Sequence, residues 1–189
     1  MFSFPKRFIL LDTEYTSWED SQERGWGPNK YKEIIQIGAI SVDGKSLAEE
    51  GAFSVFVKPV KNPQLSDFIV GLTGITQEKI DTEGISLPEA MSRLGEFVED
   101  LPMYAYGTDG TVIIENCALV GTPAPFAENR IINMRSFIFP VLEKLGIDPK
   151  KYTSGTLITA FGKPLPAPAH DAVNDMRNLL VALKILKNQ

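Results

Sequence analysis

The segment Phe8-Ile9-Leu10-Leu11-Asp12-Thr13-Glu14 constrains the fold more than any other stretch of the chain. Large apolar residues, with Pro5 upstream and a polar segment downstream, mark a core strand. Side chains alternate across a strand, so Asp12 and Glu14 share a face with Cα atoms ~6.5 Å apart. An apolar strand that ends in two carboxylates on one face meets a physical problem, because like charges repel and resist desolvation. A divalent cation resolves it, since hard cations take carboxylate oxygens. Two acids that simply solvate the strand end resolve it as well.

The rest of the chain surrounds that segment. Residues 15–32 are polar, contain Gly25, Gly27 and Pro28, and carry both tryptophans, Trp18 and Trp26. They read as a long loop, and long loops in compact domains are often functional. Residues 33–42 form a second strand, Asp43-Gly44 a turn, and residues 52–57 a third strand stopped by Pro59. Residues 63–81 read as loop with a short helix over 76–81 that Thr76 caps. Ser86-Leu87-Pro88-Glu89 opens a helix by capping serine, early proline and glutamate three positions on. A short strand over 103–106 leads through Gly107-Thr108-Asp109-Gly110 into a helix with Val112, Ile113, Cys117 and Leu119. A fifth strand over 130–134 precedes helices over 136–145 and 154–161. Pro164, Pro166 and Pro168 then lead into a last helix over 171–187. Three antiparallel strands followed by two that alternate with helices predict an α/β domain with a mixed sheet. Sites in such sheets form at strand carboxyl ends, where Asp12 and Glu14 stand and which Asp109 follows. With 189 residues, no internal repeat and no linker, residues 1–189 read as one domain.

Two more acids and one histidine belong to the argument. Asp109, between a strand and a helix, reads by itself as an N-cap, and as a ligand only together with the other acids. In the last helix Ala172, Val173, Met176, Leu179, Leu180, Leu183 and Leu186 form an apolar stripe. Asp175 lies on its flank, while Asn174, Arg177, Asn178 and Lys184 fall on the opposite side. A carboxylate that faces inward needs a basic partner or a metal. His170, the single histidine of the chain, ends the proline-rich stretch. There it is either a surface residue or an imidazole poised near neutral pH within reach of a metal-bound water.

The formal net charge of −5 argues against bulk electrostatic binding of nucleic acid. It leaves room for a site in which carboxylates and metal ions make a locally cationic centre. Lys30, Lys32, Lys58, Lys61 and Lys163 are then candidates to track a phosphate backbone. Cys117 is the single cysteine; it forms no internal disulfide and points to a reducing, cytoplasmic setting. Neither a membrane-spanning run nor a signal peptide is expected.

Taken in order, Asp12-Thr13-Glu14, then Asp109, then His170 with four residues before Asp175 resemble the DEDDh class of 3′–5′ exonucleases. The resemblance covers most of the chain. Glu33-Ile34-Ile35-Gln36-Ile37-Gly38-Ala39 is similar to the family's second strand, and Leu72-Thr73-Gly74-Ile75-Thr76 to the segment before its first helix. Ile132-Asn133-Met134 resembles the segment after the second motif, with Asn133 in place of the more usual aspartate. The resemblance implies an RNase H-like fold, a mixed five-stranded sheet flanked by helices. It implies two Mg²⁺ or Mn²⁺ ions, ~3.5–4 Å apart, held by Asp12, Glu14, Asp109 and Asp175, with His170 as general base. The implied substrate is the 3′ end of single-stranded RNA or DNA, cut to nucleoside 5′-monophosphates. Thr13, Glu14, Leu72, Thr73 and Ile75 would hold the terminal nucleotide, with Trp18 or Tyr106 stacking on it. Thr16-Ser17-Trp18 and Tyr106-Gly107-Thr108-Asp109 resemble the RNA-trimming branch that includes the histone-mRNA and small-RNA exonucleases. Without that branch's accessory domains, the catalytic domain would act alone or with a protein partner. The alternative is a catalytically silent RNase H-like module that binds nucleic acid or a protein, which has no chemical need for four acids and His170 together.

Overall fold

A computed structural model describes residues 3–187, apart from the side chains of Gln22 and Glu128. Five strands make one sheet: β1 (Arg7–Tyr15), β2 (Ile34–Asp43), β3 (Glu49–Phe56), β4 (Met103–Ala105) and β5 (Ile131–Asn133). Their spatial order is β3-β2-β1-β4-β5. The first three are antiparallel, with Asp12 opposite Gly38 and Glu14 opposite Gln36. β4 and β5 run parallel to β1, starting from Ile9 beside Met103. The mixed sheet follows the strand reading of the sequence.

β1 lies at the centre and is covered on both faces, which explains its nearly continuous apolar run. Phe8 and Leu10 pack into a core with the C-terminal helices, α6 (Arg135–Lys144) and α7 (Ala172–Lys187). Ile9 and Leu11 pack on the other face with α4 (Leu87–Val98) and α5 (Asp109–Val120). Alternation carries these facings forward along the strand. Asp12 and Glu14 continue the α6–α7 side, and Thr13 continues the α5 side. Gly38, beside Asp12, is where α7 comes closest to the sheet. A Cβ there would lie 2.5 Å from the Ala172 carbonyl carbon and the Val173 nitrogen. The absent side chain lets the first turn of α7, and Asp175 with it, dock on β1.

Several local expectations change. The 15–32 segment contains a four-residue helix, α1 (Ser21–Arg24). The 63–81 segment contains two helices, α2 (Asp67–Thr73) and α3 (Gln77–Glu83). α2 escapes periodicity because it is seven residues long and buries Ile69 alone. Its cap is nonetheless local chemistry, since the Ser66 side chain accepts from the Ile69 amide. Leu72 and Thr73 therefore close a helix rather than precede the first one. Asp109 is the first residue of α5, and the N-cap position belongs to Thr108, whose side chain makes no capping bond. The expected 154–161 helix is a 3₁₀ turn over Leu157–Phe161. Asn178, read as outward, is fully buried. Among the described residues no helix is long and apolar enough to cross a membrane.

Candidate active site

Three elements bring four carboxylates to one place. Asp12 and Glu14 come from the end of β1, Asp109 from the start of α5, and Asp175 from the first turn of α7. All four line a single cleft of about 310 Å³ with Thr13, Leu72, Tyr106, Arg135, Ser154 and His170 among its other walls. None of the four is more than 9% exposed. The main chain and neutral hydroxyls position them. The Thr13 amide and Oγ1 both donate to Asp109 Oδ1, at 3.1 and 2.7 Å, tying β1 to α5. Ser154 Oγ donates to Asp12 Oδ1 at 3.2 Å. The His170 amide donates to Asp175 Oδ1 at 2.9 Å.

None of the ion pairs among the described residues involves any of the four acids, and the one basic charge that reaches the cluster, Arg135, acts on Asp109 from a distance. Burial, and then the charge of Asp175, Asp109 and Asp171, pushes Glu14 up to about 8. Burial, followed by Asp109, Glu14 and Asp175, raises Asp12 well above the usual carboxylate range. Burial lifts Asp175 to about 6 against the His170 amide, which favours the charged form. Asp109 is raised by burial while the Thr13 hydrogen bonds and the Arg135 charge oppose the shift. Four buried oxygen donors that repel one another, with a single distant guanidinium to offset them, fit a hard divalent cation. A carboxylate oxygen of Glu14, one of Asp175 and a ring nitrogen of His170 lie within 4.8 Å of one another.

His170 sits at the junction of an exposed proline-rich stretch and α7. Its φ of 64° places it in the left-handed region, which turns the chain into the helix while its amide holds Asp175. Burial lowers the imidazole pKa, so the ring is neutral and able to accept a proton at neutral pH.

The proposed nucleotide-contacting residues separate. Thr13, Leu72 and Tyr106 line the cleft. Thr73 lies outside its lining; its hydroxyl donates to the Ile69 carbonyl and accepts from the Ile75 amide. Ile75 is buried with Ile35, Ile69 and Ile80. Trp18 lines a separate surface hollow with Asp20 and Lys30, and Lys30 Nζ lies 5.1 Å from its ring centroid. Trp26 donates from Nε1 to the Thr16 carbonyl, a structural contact. Tyr106 is 3% exposed and its ring is covered by Arg135 and Phe139.

Sequence reasoning missed Ser154, Ser17 and Arg135. Ser154 lies in an irregular stretch with no periodicity to place it. The Ser17 and Tyr106 hydroxyls are buried beside the cleft without a hydrogen-bond partner among the described residues.

Gly155 shows how tightly Asp175 is held. A Cβ there would fall 2.2–2.6 Å from the Asp175 carboxylate atoms. Gly155→Ala is expected to displace that carboxylate and lower activity ~10–100-fold, the range for a residue that supports a metal ligand. The secondary structure should be retained, and circular dichroism alongside a rate measurement checks both halves.

Comparison with known proteins agrees with this geometry. The family model described as the RNase_T exonucleases matches residues 9–183. Rat (Rattus norvegicus) 3′-5′ exoribonuclease 1 is 26% identical over 198 residues, covering 98% of this chain and 54% of that protein. The rAMP-bound nuclease domain of 3′hExo, described as a DEDDh family member, superposes with a TM-score of 0.80 at 21% identity, covering 98% of this chain and 94% of that one. E. coli exonuclease I in complex with a dT13 oligonucleotide superposes with a TM-score of 0.70 at 18% identity, covering 97% and 41%. The chain spans about half the length, or less, of the curated relatives it matches. The fold is that of the DEDDh exonucleases, and the chain belongs to the RNase_T exonuclease family.

Proposed function

We propose that this chain is a metal-dependent 3′–5′ exonuclease that trims single-stranded nucleic acid, RNA in preference to DNA, to nucleoside 5′-monophosphates. The observation that carries the reading is the convergence of four buried, mutually repelling carboxylates beside a neutral imidazole. The preference for RNA is supported by the exoribonuclease names of the relatives. The unpaired, buried Cys117 thiol suits a cytoplasmic setting.

Asp12, Glu14, Asp109 and Asp175 would hold two Mg²⁺ or Mn²⁺ ions. When bound, such ions activate a water and stabilise charge on the attacking and leaving oxygens. The residues of the chain prepare the rest. Thr13, Ser154 and the His170 amide fix the directions of three carboxylates, so little reorganisation is left for the reaction. The His170 imidazole accepts the proton of the attacking water as its oxygen bonds to phosphorus. The bond from phosphorus to the 3′-oxygen of the preceding nucleotide breaks, and that oxygen takes a proton from solvent. Thr13 and Leu72 would contact the terminal nucleotide from the walls of the cleft.

A gel assay on 5′-labelled single-stranded RNA and DNA of one sequence, with Mg²⁺, Mn²⁺ or EDTA, tests the reading. A metal-dependent ladder that shortens from the 3′ end, faster on RNA, is the expected result. Binding without cleavage at any metal concentration would instead make the chain a silent nucleic-acid module.

A further inference from the structure

Between Gly162 and His170 the chain crosses the surface and is fastened at one residue. Residues 162–166 are exposed, and Pro164, Pro166 and Pro168 have no amide to donate. Among the described residues, every hydrogen bond made by residues 163–169 goes to Asn178. The Ala167 amide donates to Asn178 Oδ1 at 3.2 Å, and Asn178 Nδ2 donates to the Ala167 carbonyl at 3.0 Å. Nδ2 also donates to the Gly155 carbonyl at 3.1 Å. Asn178 itself is wholly buried on α7, about one turn past Asp175.

A side-chain amide carries an acceptor oxygen and a two-proton donor, and Asn178 spends both on the main chain of two irregular segments. Each segment belongs to the site. Gly155 follows Ser154, which donates to Asp12, and itself lies against the Asp175 carboxylate. Ala167 precedes His170 by three residues, across Pro168 and Ala169. The φ of 64° at His170 is a conformation that a residue other than glycine keeps only when the chain on both sides holds it. On the helix side, the His170 amide is held by Asp175, and the Ala172 amide donates to Gln36 Oε1 at 3.0 Å. On the other side the hydrogen-bonded hold is Asn178.

One buried side chain therefore ties two pieces of the site to the helix that carries Asp175: the turn that supports the acids and the segment that carries the imidazole. We propose that Asn178 is a positioning residue, which sets the place of the His170 imidazole against the four acids by holding Ala167 and Gly155 to α7. It reaches neither the acids nor the substrate itself. Its effect on rate rests on the exonuclease reading and on His170 as the proton acceptor; its hold on the His170 main chain does not.

Asn178→Ala should lower kcat on a single-stranded octanucleotide ~10–100-fold, the scale of a small misplacement of a reacting group. KM should change by ~3-fold at most. In a His170→Asn background, which asparagine's tolerance of the left-handed φ keeps folded, the same substitution should cost ~3-fold or less, because the group it positions is gone. Equal losses in both backgrounds would make Asn178 a support of the fold or of the acids alone, and no loss in either would mean that His170 holds its place unaided; each overturns the proposal. Amide hydrogen exchange followed by NMR gives a readout that needs no cleavage. In Asn178→Ala the His170 amide should exchange ~10-fold faster or more while the Leu180 and Leu183 amides keep their rates. An unchanged His170 rate, or an equal acceleration along all of α7, overturns the proposal. If the wild-type protein cleaves no nucleic acid, the exonuclease reading fails on its own, and exchange still decides the anchor. If Asn178→Ala does not fold, the wild-type protein decides it: the protection of the Ala167 and His170 amides should agree within ~10-fold, as for one opening unit, and a wider gap in either direction separates His170 from the Asn178 anchor and overturns the proposal.

Discussion

Asp12→Asn is expected to remove nearly all nuclease activity and, in the absence of metal, to make the protein more stable. The two effects share one cause. Asp12 is buried with three other acids, and each ionised member raises the energy of the rest. Asparagine keeps the oxygen that accepts from Ser154 and discards the charge. Activity should fall well beyond the ~10–100-fold that follows loss of a supporting residue. The stability half follows from proton linkage. Glu14 and Asp175 titrate near pH 8 and 6 in the fold rather than at 4.5 and 3.8, so the folded state binds more protons than the unfolded chain between about pH 4 and 8. Stability of the metal-free protein therefore falls as pH rises through that window. The penalty for Glu14 alone is on the order of 3–5 kcal/mol at full ionisation. At ~2–4 °C per kcal/mol, Tm in EDTA should drop by ~10 °C between pH 5 and pH 8, and millimolar Mg²⁺ should abolish most of the drop. Asp12→Asn should recover part of it, ~3–8 °C at pH 8. Thermal melts at the two pH values, with and without metal, check this. A variant that melts lower than wild type in EDTA, or that keeps full activity at low Mg²⁺, removes Asp12 from the metal site.

This opposition of stability and activity explains why the candidate site was legible in the sequence while much of its support was not. Asp12 and Glu14 were readable because β-strand alternation and apolar burial leave no other cheap place for two charges. Asp175 was readable because a helix has a fixed period and the acid falls beside its apolar stripe. The same period misplaced Asn178. Its outward position on an isolated helix is covered by chain with no regular structure: its Oδ1 accepts from the Ala167 amide, and its Nδ2 donates to the Gly155 and Ala167 carbonyls. Periodicity describes one element and says nothing about an irregular segment that lies over it. Ser154 and Gly155 were hidden for the same reason, since they touch Asp12 and Asp175 through a turn. Glu33 is a further case. It opened the second strand in the sequence, yet its buried carboxylate collects the amides of Val60, Lys61 and Asn62 and so fixes the loop after β3. Arg135 was hidden because its position depends on Tyr106 and Phe139, one on β4's extension and one a helical turn away. Long-range pairing of this kind leaves no mark in composition or spacing.

His170→Asn is expected to lower kcat ~10²–10⁴-fold, the usual contribution of a general base, while leaving the Mg²⁺-induced rise in Tm nearly intact. Asparagine is the informative replacement because the residue has a φ of 64°. Among non-glycine residues asparagine tolerates that conformation well, so the turn into α7 and the amide that holds Asp175 are both kept. Alanine would mix loss of the imidazole with strain at the helix entry. The geometry allows a second role, since the ring nitrogen lies within the same 4.8 Å group as Glu14 and Asp175. A histidine that ligates metal would show itself by a lost or weakened Mg²⁺ shift, with activity partly restored at high metal concentration. A histidine that takes the proton leaves the shift alone, and the slow rate persists at saturating metal. The rate of the variant should also rise with pH well past neutrality, because hydroxide from solvent then supplies what the imidazole no longer does. Wild-type-like kcat in this variant would take the proton-accepting role away from His170, and the burial that keeps its ring neutral would then be incidental to the chemistry.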